Sequence, residues 1–165
     1  IAGQSQFSIQ WAVQHGYHVM NTPQRRPFAY LEEACKVYGE ALKVAGKTTE
    51  ESQLLILRNT FVAGDKQQLN RQADNLISNH RQAQNLGMGE GHVKNGMVEP
   101  LDSPMTREEI FQNVIIGDPD TCIQKLAEHR DLGIRNLCVN MAFGGTHQEV
   151  RESMRLFAKH VMPCF

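Results

Sequence analysis

The sequence predicts an α/β fold, a parallel sheet whose strands are joined by helices. Three observations carry this. Helix-like and strand-like segments alternate along the chain, the order that right-handed crossovers between parallel strands require. The run Leu54–Ala63 is almost wholly apolar or β-branched, which suits a strand covered on both faces. No hairpin signal is read between the segments.

The elements follow in order. Ile1-Ala2-Gly3 reads as the end of a strand turning into a loop. Ser5 to His15 reads as a helix, with Ser5 as cap, Ile9, Ala12 and Val13 at apolar spacing, and Gly16 as its stop. Tyr17–Met20 is a short strand. Asn21–Pro27 is a loop, because the residues before Pro23 and Pro27 avoid helical geometry. Phe28–Ala45 is a helix with Phe28, Leu31, Cys35, Tyr38 and Leu42 on one face, ended by Gly46. After the Leu54–Ala63 strand, Asp65 caps a long polar helix to about Leu86, with Leu69, Leu76, Ile77 and Ala83 towards the core. Gly87–Pro104 is irregular and rich in glycine; such long loops in compact domains are functional or disordered. Thr106–Glu109 is a capping box for a short helix. A short apolar stretch, Val114–Ile116, precedes a helix capped by Asp118 with Pro119 at its first position, running to about Leu132. Asn136–Met141 is the last strand. Thr146–Glu149 is a second capping box, and its helix ends before Pro163. With so few strands in 165 residues, either a small open sheet or half of a closed barrel fits, since a whole eight-stranded barrel takes about 250 residues.

Composition bounds the function. Hydrophobic residues make up 41% and charged residues 21% of the chain, enough for one core in residues 1–165, with 87–113 as an insertion. The 17 basic and 18 acidic residues nearly cancel, which argues against a nucleic-acid partner. No apolar run is long enough to span a bilayer, and no signal-peptide pattern opens the chain. Cys35, Cys122, Cys138 and Cys164 form no C-x-x-C pair, so reduced thiols in a cytoplasmic protein are expected. The seven histidines are scattered, and no metal site is expected. Gly87-x-Gly89-x-Gly91 follows a helix rather than a strand, so it is no dinucleotide fingerprint.

Four segments are placed to carry chemistry. Gly3–Ser8 lies between a strand stub and a helix, where free amides and the positive helix end favour an anion, and where Ser5 and Ser8 add hydroxyls. The alternative there is a plain helix cap. Gly144-Gly145-Thr146 lies between a strand and a helix too, with a tight turn as its alternative. Arg25-Arg26 offers cations to a phosphate or acidic substrate, or is a solvated loop. Arg58-Asn59 sits inside an apolar strand, where a charge must be paired or lie near a site.

Both ends of the chain resemble the bacterial-luciferase-like family of flavin-dependent monooxygenases. The carrying residues are AGQSQFSIQWAVQHGYHVM (2–20), IIGDPDTCIQKLAEHRDLGIRNLCVNM (115–141) and ESMRLFAKHVMPCF (152–165). Within them Ser5, Ser8, Trp11-Ala12, Gly16, Gly117, Pro119, Gly133, Ser153-Met154, Leu156-Phe157 and Val161-Met162-Pro163 match the family pattern. The resemblance implies the C-terminal half of a TIM (β/α)8 barrel, with the stub at Ile1 as the end of its fifth strand and 87–113 in the place of a lid. It implies reduced FMN as cofactor, or F420 in one branch, with the flavin phosphate on the backbone amides of Gln4 and Ser5 and the hydroxyl of Ser8. It implies O2, a small organic substrate, a flavin reductase and an oligomer as partners. The strands that carry the family's catalytic residues are not matched here, so no catalytic residue is carried over. A half barrel also exposes an apolar inner face, so it is expected to self-associate or to be completed by further chain. Two alternatives stand beside the monooxygenase: a truncated, non-catalytic flavin-binding or assembly protein, and an F420-dependent oxidoreductase.

Overall fold

Ser5 takes an extended backbone and its hydroxyl receives the Ser8 amide, which starts α1 (Gln6–Gln14). The chain then alternates through β1 (Val19–Gln24), α2 (Phe28–Ala45), β2 (Leu54–Val62) and α3 (Lys66–Met88). A two-stranded insertion follows, β3 (Val93–Lys94) and β4 (Met97–Val98). Then come α4 (Arg107–Asn113), β5 (Ile115–Gly117), α5 (Pro119–Asp131), β6 (Asn136–Asn140) and α6 (His147–Leu156). This computed structural model describes residues 1–24, 26–88, 93–100 and 106–165.

The main sheet is parallel and centred on β2. Leu54–Arg58 pairs with β1, and Leu55–Asn59 pairs with β6. Because these ranges overlap, β1 and β6 flank β2 on opposite edges. The last residues of β2, Thr60–Val62, pair with β5. Ala2 makes a parallel bridge to Met20, so the N-terminal stub lies outside β1. The order stub–β1–β2–β6 follows chain order, as in a barrel wall rather than a doubly wound sheet.

Side chains alternate along β2. Leu54 and Ile56 are buried with Ile9, Val13, Val19, Leu31 and Leu42 under α1 and α2. Leu55 and Leu57 point to the other face and are half-buried. A second core joins Phe61, Leu76, Ile110 and Phe143, with the two phenyl rings edge to face at 6.0 Å. A third packs Val62, Ile115, Cys122 and Val161. Ser153 on α6 accepts the amide of Val62 at 2.8 Å, which satisfies that backbone donor at the strand end.

Several expectations need correction. The first strand is Val19–Gln24, not Tyr17–Met20, so most of the Asn21–Pro27 loop is strand. Tyr17 is consumed by the end of α1, where its amide donates to Ala12 O. Pro23 is accommodated by a register shift between Asn21 and Gln24. A hairpin does exist: Val93–Lys94 and Met97–Val98 pair antiparallel about Asn95-Gly96. Both turn residues have positive φ, 52° and 76°, the geometry that an Asn-Gly turn supplies. Ala83 is exposed, and the buried positions of α3 include Gln72, Ala73 and Asn85. The C-terminal helix does not stop before Pro163. It passes into a wider π turn (Phe157–Val161) and then a 3₁₀ turn (Met162–Cys164) that contains Pro163. The glycines 89 and 91 of the Gly-rich stretch lie outside the described residues.

Candidate functional site

The turn Gly3–Ser8 sits at the carboxyl end of the stub. Gly3 donates its amide to Met20 O at 3.0 Å, which fixes the turn beside β1. A Cβ on Gly3 would stand 3.0 Å from Ser8 Oγ, so the backbone here approaches closer than most side chains permit. Ser5 and Ser8 cap each other. Ser8 N donates to Ser5 Oγ at 3.2 Å, and Ser5 N donates to Ser8 Oγ at 3.1 Å. The Ser8 hydroxyl donates to Ser5 O at 2.9 Å. Among the described residues no hydrogen bond engages the first-turn amides of Gln6 and Phe7. No acidic side chain occupies that turn either, so the positive end of α1 is uncompensated.

Gln4 uses its side chain elsewhere. Its Nε2 donates to Thr22 Oγ1 at 2.8 Å, tying the turn to β1. The Gln4 carbonyl accepts from Tyr30 Oη at 3.2 Å. Arg26 lies over the Tyr30 ring, 5.0 Å from its centroid, in a cation–π contact. The sequence therefore led to Gln4, Ser5 and Ser8 but missed Thr22 and Tyr30. Only the parallel pairing of the stub with β1 brings these together. Arg25 lies outside the described residues.

The other candidates have structural occupations. Thr146 makes a reciprocal cap with Glu149. Gly144 has φ +120°, and its carbonyl accepts from Asn75 Nδ2 at 3.0 Å. Gly145 presses on Gln72, whose Nε2 would be 2.8 Å from a Cβ there. The Gly-Gly turn is thus a close approach of β6 to α3. Asn59 accepts from Asn140 Nδ2 at 3.0 Å across the sheet. Arg58 is 1% exposed and points the opposite way. It donates to the carbonyls of Arg26 and Asn113, and burial lowers its pKa to about 10.

At the ends of β2 and β5 a cavity of about 580 Å³ opens between α3, α4 and α5. Asp65 and Asp118 at its mouth are helix caps, accepting from Gln68 N at 2.7 Å and Thr121 N at 2.8 Å. Gly117 packs tightly there, since its Cβ would lie 2.6 Å from the Thr121 side chain. All four cysteines are free. Burial pushes the thiols of Cys35 and Cys122 up to about 11 and about 12, which makes them poor nucleophiles. Among the described residues no group of three or more His, Cys, Asp or Glu is placed to hold a metal ion. No described helix is long and apolar enough to cross a membrane.

The family model for luciferase-like monooxygenases matches residues 1–136. The chain belongs to the luciferase-like monooxygenase family. It is similar to the alkanal monooxygenase alpha chain of Photobacterium leiognathi, with 27% identity over 96 residues, 56% of this chain and 27% of that one. Among solved structures it is similar to a monooxygenase from Streptomyces bottropensis, with TM-score 0.72 and 20% identity, covering 98% of this chain and 46% of the other. An F420-dependent secondary alcohol dehydrogenase solved with an F420–acetone adduct gives TM-score 0.68 and 16% identity over 99% and 47% of the two chains. The oxygenating constituent of 3,6-diketocamphane monooxygenase from Pseudomonas putida, solved with FMN, gives 0.65 and 18% over 99% and 48%. This luciferase-like chain therefore spans about half the length of the solved relatives, and its fold is that of a partial TIM barrel. In that frame the Gly3–Ser8 turn lies at the carboxyl ends of the strands, the face on which barrel enzymes build their sites.

Proposed function

We propose that this protein is a flavin-dependent monooxygenase that oxygenates a small organic substrate, and that the Gly3–Ser8 turn holds the phosphate of reduced FMN. The carrying observation is the start of α1, where two first-turn amides lack a partner beside a pair of serine hydroxyls. That donor set fits a phosphate. Gln6 and Phe7 would give their amides, and the positive helix end favours the charge. The Ser8 hydroxyl has one proton, now given to Ser5 O; rotation about its C–O bond would hand that proton to a phosphate oxygen. Arg26 is a cation linked to this turn through Tyr30 and Gln4. Reduced flavin, when bound, supplies the electrons with which O2 is activated. The chain would anchor that cofactor and form part of the pocket wall. A flavin reductase and further copies or chains are the partners this reading calls for.

Titration of FMN into the protein tests the site. Binding in the micromolar range is expected, with Ser8→Ala raising Kd about tenfold, the loss of one hydrogen bond to a charged group. An unchanged Kd in Ser8→Ala would refute the phosphate assignment. The F420 complex of a related fold supports a second reading, a hydride-transferring oxidoreductase. Parallel titration with F420 separates the two, since the tighter cofactor decides. Substrate-dependent oxygen consumption with reduced FMN distinguishes the monooxygenase from a non-catalytic flavin-binding or assembly protein, which would bind without turnover.

A further inference from the structure

We infer that Arg58 is a positioning residue that holds the candidate phosphate turn and helix α4 in one arrangement, an inference that rests on the FMN reading of the turn. Arg58 heads the fully buried side chains of the molecule in size. Its guanidinium spans two segments far apart in sequence. One nitrogen, Nη1, donates to Arg26 O at 2.9 Å, and Nη2 donates to Asn113 O. On the first side, Arg26 covers Tyr30, and Tyr30 holds Gln4 O at the phosphate turn. On the second side, Asn113 is the last residue of α4.

A second, half-buried cation strengthens the α4 end. Lys125 Nζ donates to Val114 O at 2.6 Å and to Phe111 O. The carbonyls of residues 111, 113 and 114 thus all accept from a cation, the arrangement a helix C-terminus favours. Among the described residues neither cation is ion-paired with a carboxylate, and Arg58 Nε has no partner at all. A buried guanidinium held only by carbonyls is a costly way to fill a core, because apolar residues of similar size stabilise as well or better. What the guanidinium does that an apolar side chain cannot is fix two separate carbonyls at once through its planar fork. A lysine at 58 keeps the charge but offers a single nitrogen in place of the two that serve Arg26 O and Asn113 O separately.

Amide hydrogen exchange on the protein, with and without saturating FMN, tests this in Arg58→Lys, Lys125→Met and wild type. The reporters are Arg26 and Tyr30 amides, bonded to Pro23 O and Pro27 O, and the Ile110 and Val114 amides of α4. Unchanged protection of the Leu54–Ile56 segment shows that a variant is folded. In Arg58→Lys both reporter groups should exchange about tenfold faster together, and FMN should no longer slow the α4 amides as it does in wild type. Lys125→Met should loosen α4 and leave Arg26 and Tyr30 unaltered. If Arg58→Lys leaves either reporter group at the wild-type rate, the coupling is refuted. If the cofactor-free result is as expected but FMN does not bind, the FMN reading fails while the link through Arg58 stands. If FMN binds and leaves wild-type α4 unprotected, the link does not serve the cofactor and the inference falls.

Discussion

His129 is 5% exposed, sits on α5 and donates through Nδ1 to Lys125 O at 2.7 Å, with Phe28 edge-on at 5.4 Å. Burial, with Arg58 and Lys125 nearby, lowers its pKa from 6.5 to about 4. The native state therefore resists a proton that the unfolded chain accepts between these two values. Stability is fully present above pH 6.5 and falls as the pH drops towards 4. A tenfold change in proton affinity is about 1.4 kcal/mol, so the loss across this window is on the order of 3 kcal/mol. The carboxylates of Asp118 and Glu149 are held below their usual range by hydrogen bonds from Thr121 and Thr146. Their contributions are present above their unperturbed values of 4.5 for Glu149 and 3.8 for Asp118, and are lost as the pH falls below these. Urea unfolding at pH 7 and pH 5 should show a steep decline in wild type and a flatter one in His129→Gln. Equal slopes would mean that His129 titrates normally. Also at this scale, Ser5→Ala removes the cap oxygen of α1 and should cost about 1 kcal/mol.

At the scale of elements, the ends of strands and helices carry most of the specification. Gly117 closes β5 against α5, and a methyl group there would meet Thr121 at 2.6 Å. Gly117→Ala should destabilise by roughly 1–3 kcal/mol through overpacking, and Gly117→Ala with Thr121→Ser should recover part of that loss in thermal unfolding. Where such local chemistry decides, the sequence was legible. The bounds of α2 follow from Pro27 before it and Gly46 after it, the latter in the left-handed conformation. The capping boxes at Thr106 and Thr146 are present in both senses. Local signals were also missed. Asn95-Gly96 is a hairpin signature in plain view, obscured because only one strand pair of two residues surrounds it. Other features depend on contacts that no local pattern carries. Gln72 is buried because Gly145 presses on it. Pro23 sits in a strand because the register shifts around it. Tyr30 and Thr22 join the Gly3–Ser8 turn only through the stub's bridge to Met20. Arg58 was legible as an anomaly, a charge in an apolar run, but not as a link between Arg26 and Asn113.

At the scale of the molecule, the sheet is a barrel wall with helices on one side. Helix-side residues such as Val19 and Ile56 are buried, whereas Leu55, Leu57 and Cys138 on the opposite face are half-buried. The chain spans 46% to 48% of three solved relatives, and the strand ends it contributes place the Gly3–Ser8 turn on the face where such barrels act. Under the proposed function this turn binds a flavin through its phosphate. Fluorescence titration of FMN and of riboflavin, which lacks only the phosphate, tests it most directly in wild type and Ser8→Ala. Wild type should prefer FMN by at least about thirtyfold, the worth of roughly 2 kcal/mol of charge-assisted hydrogen bonding, and Ser8→Ala should narrow that ratio. Equal affinity for the two flavins in wild type would contradict the claim.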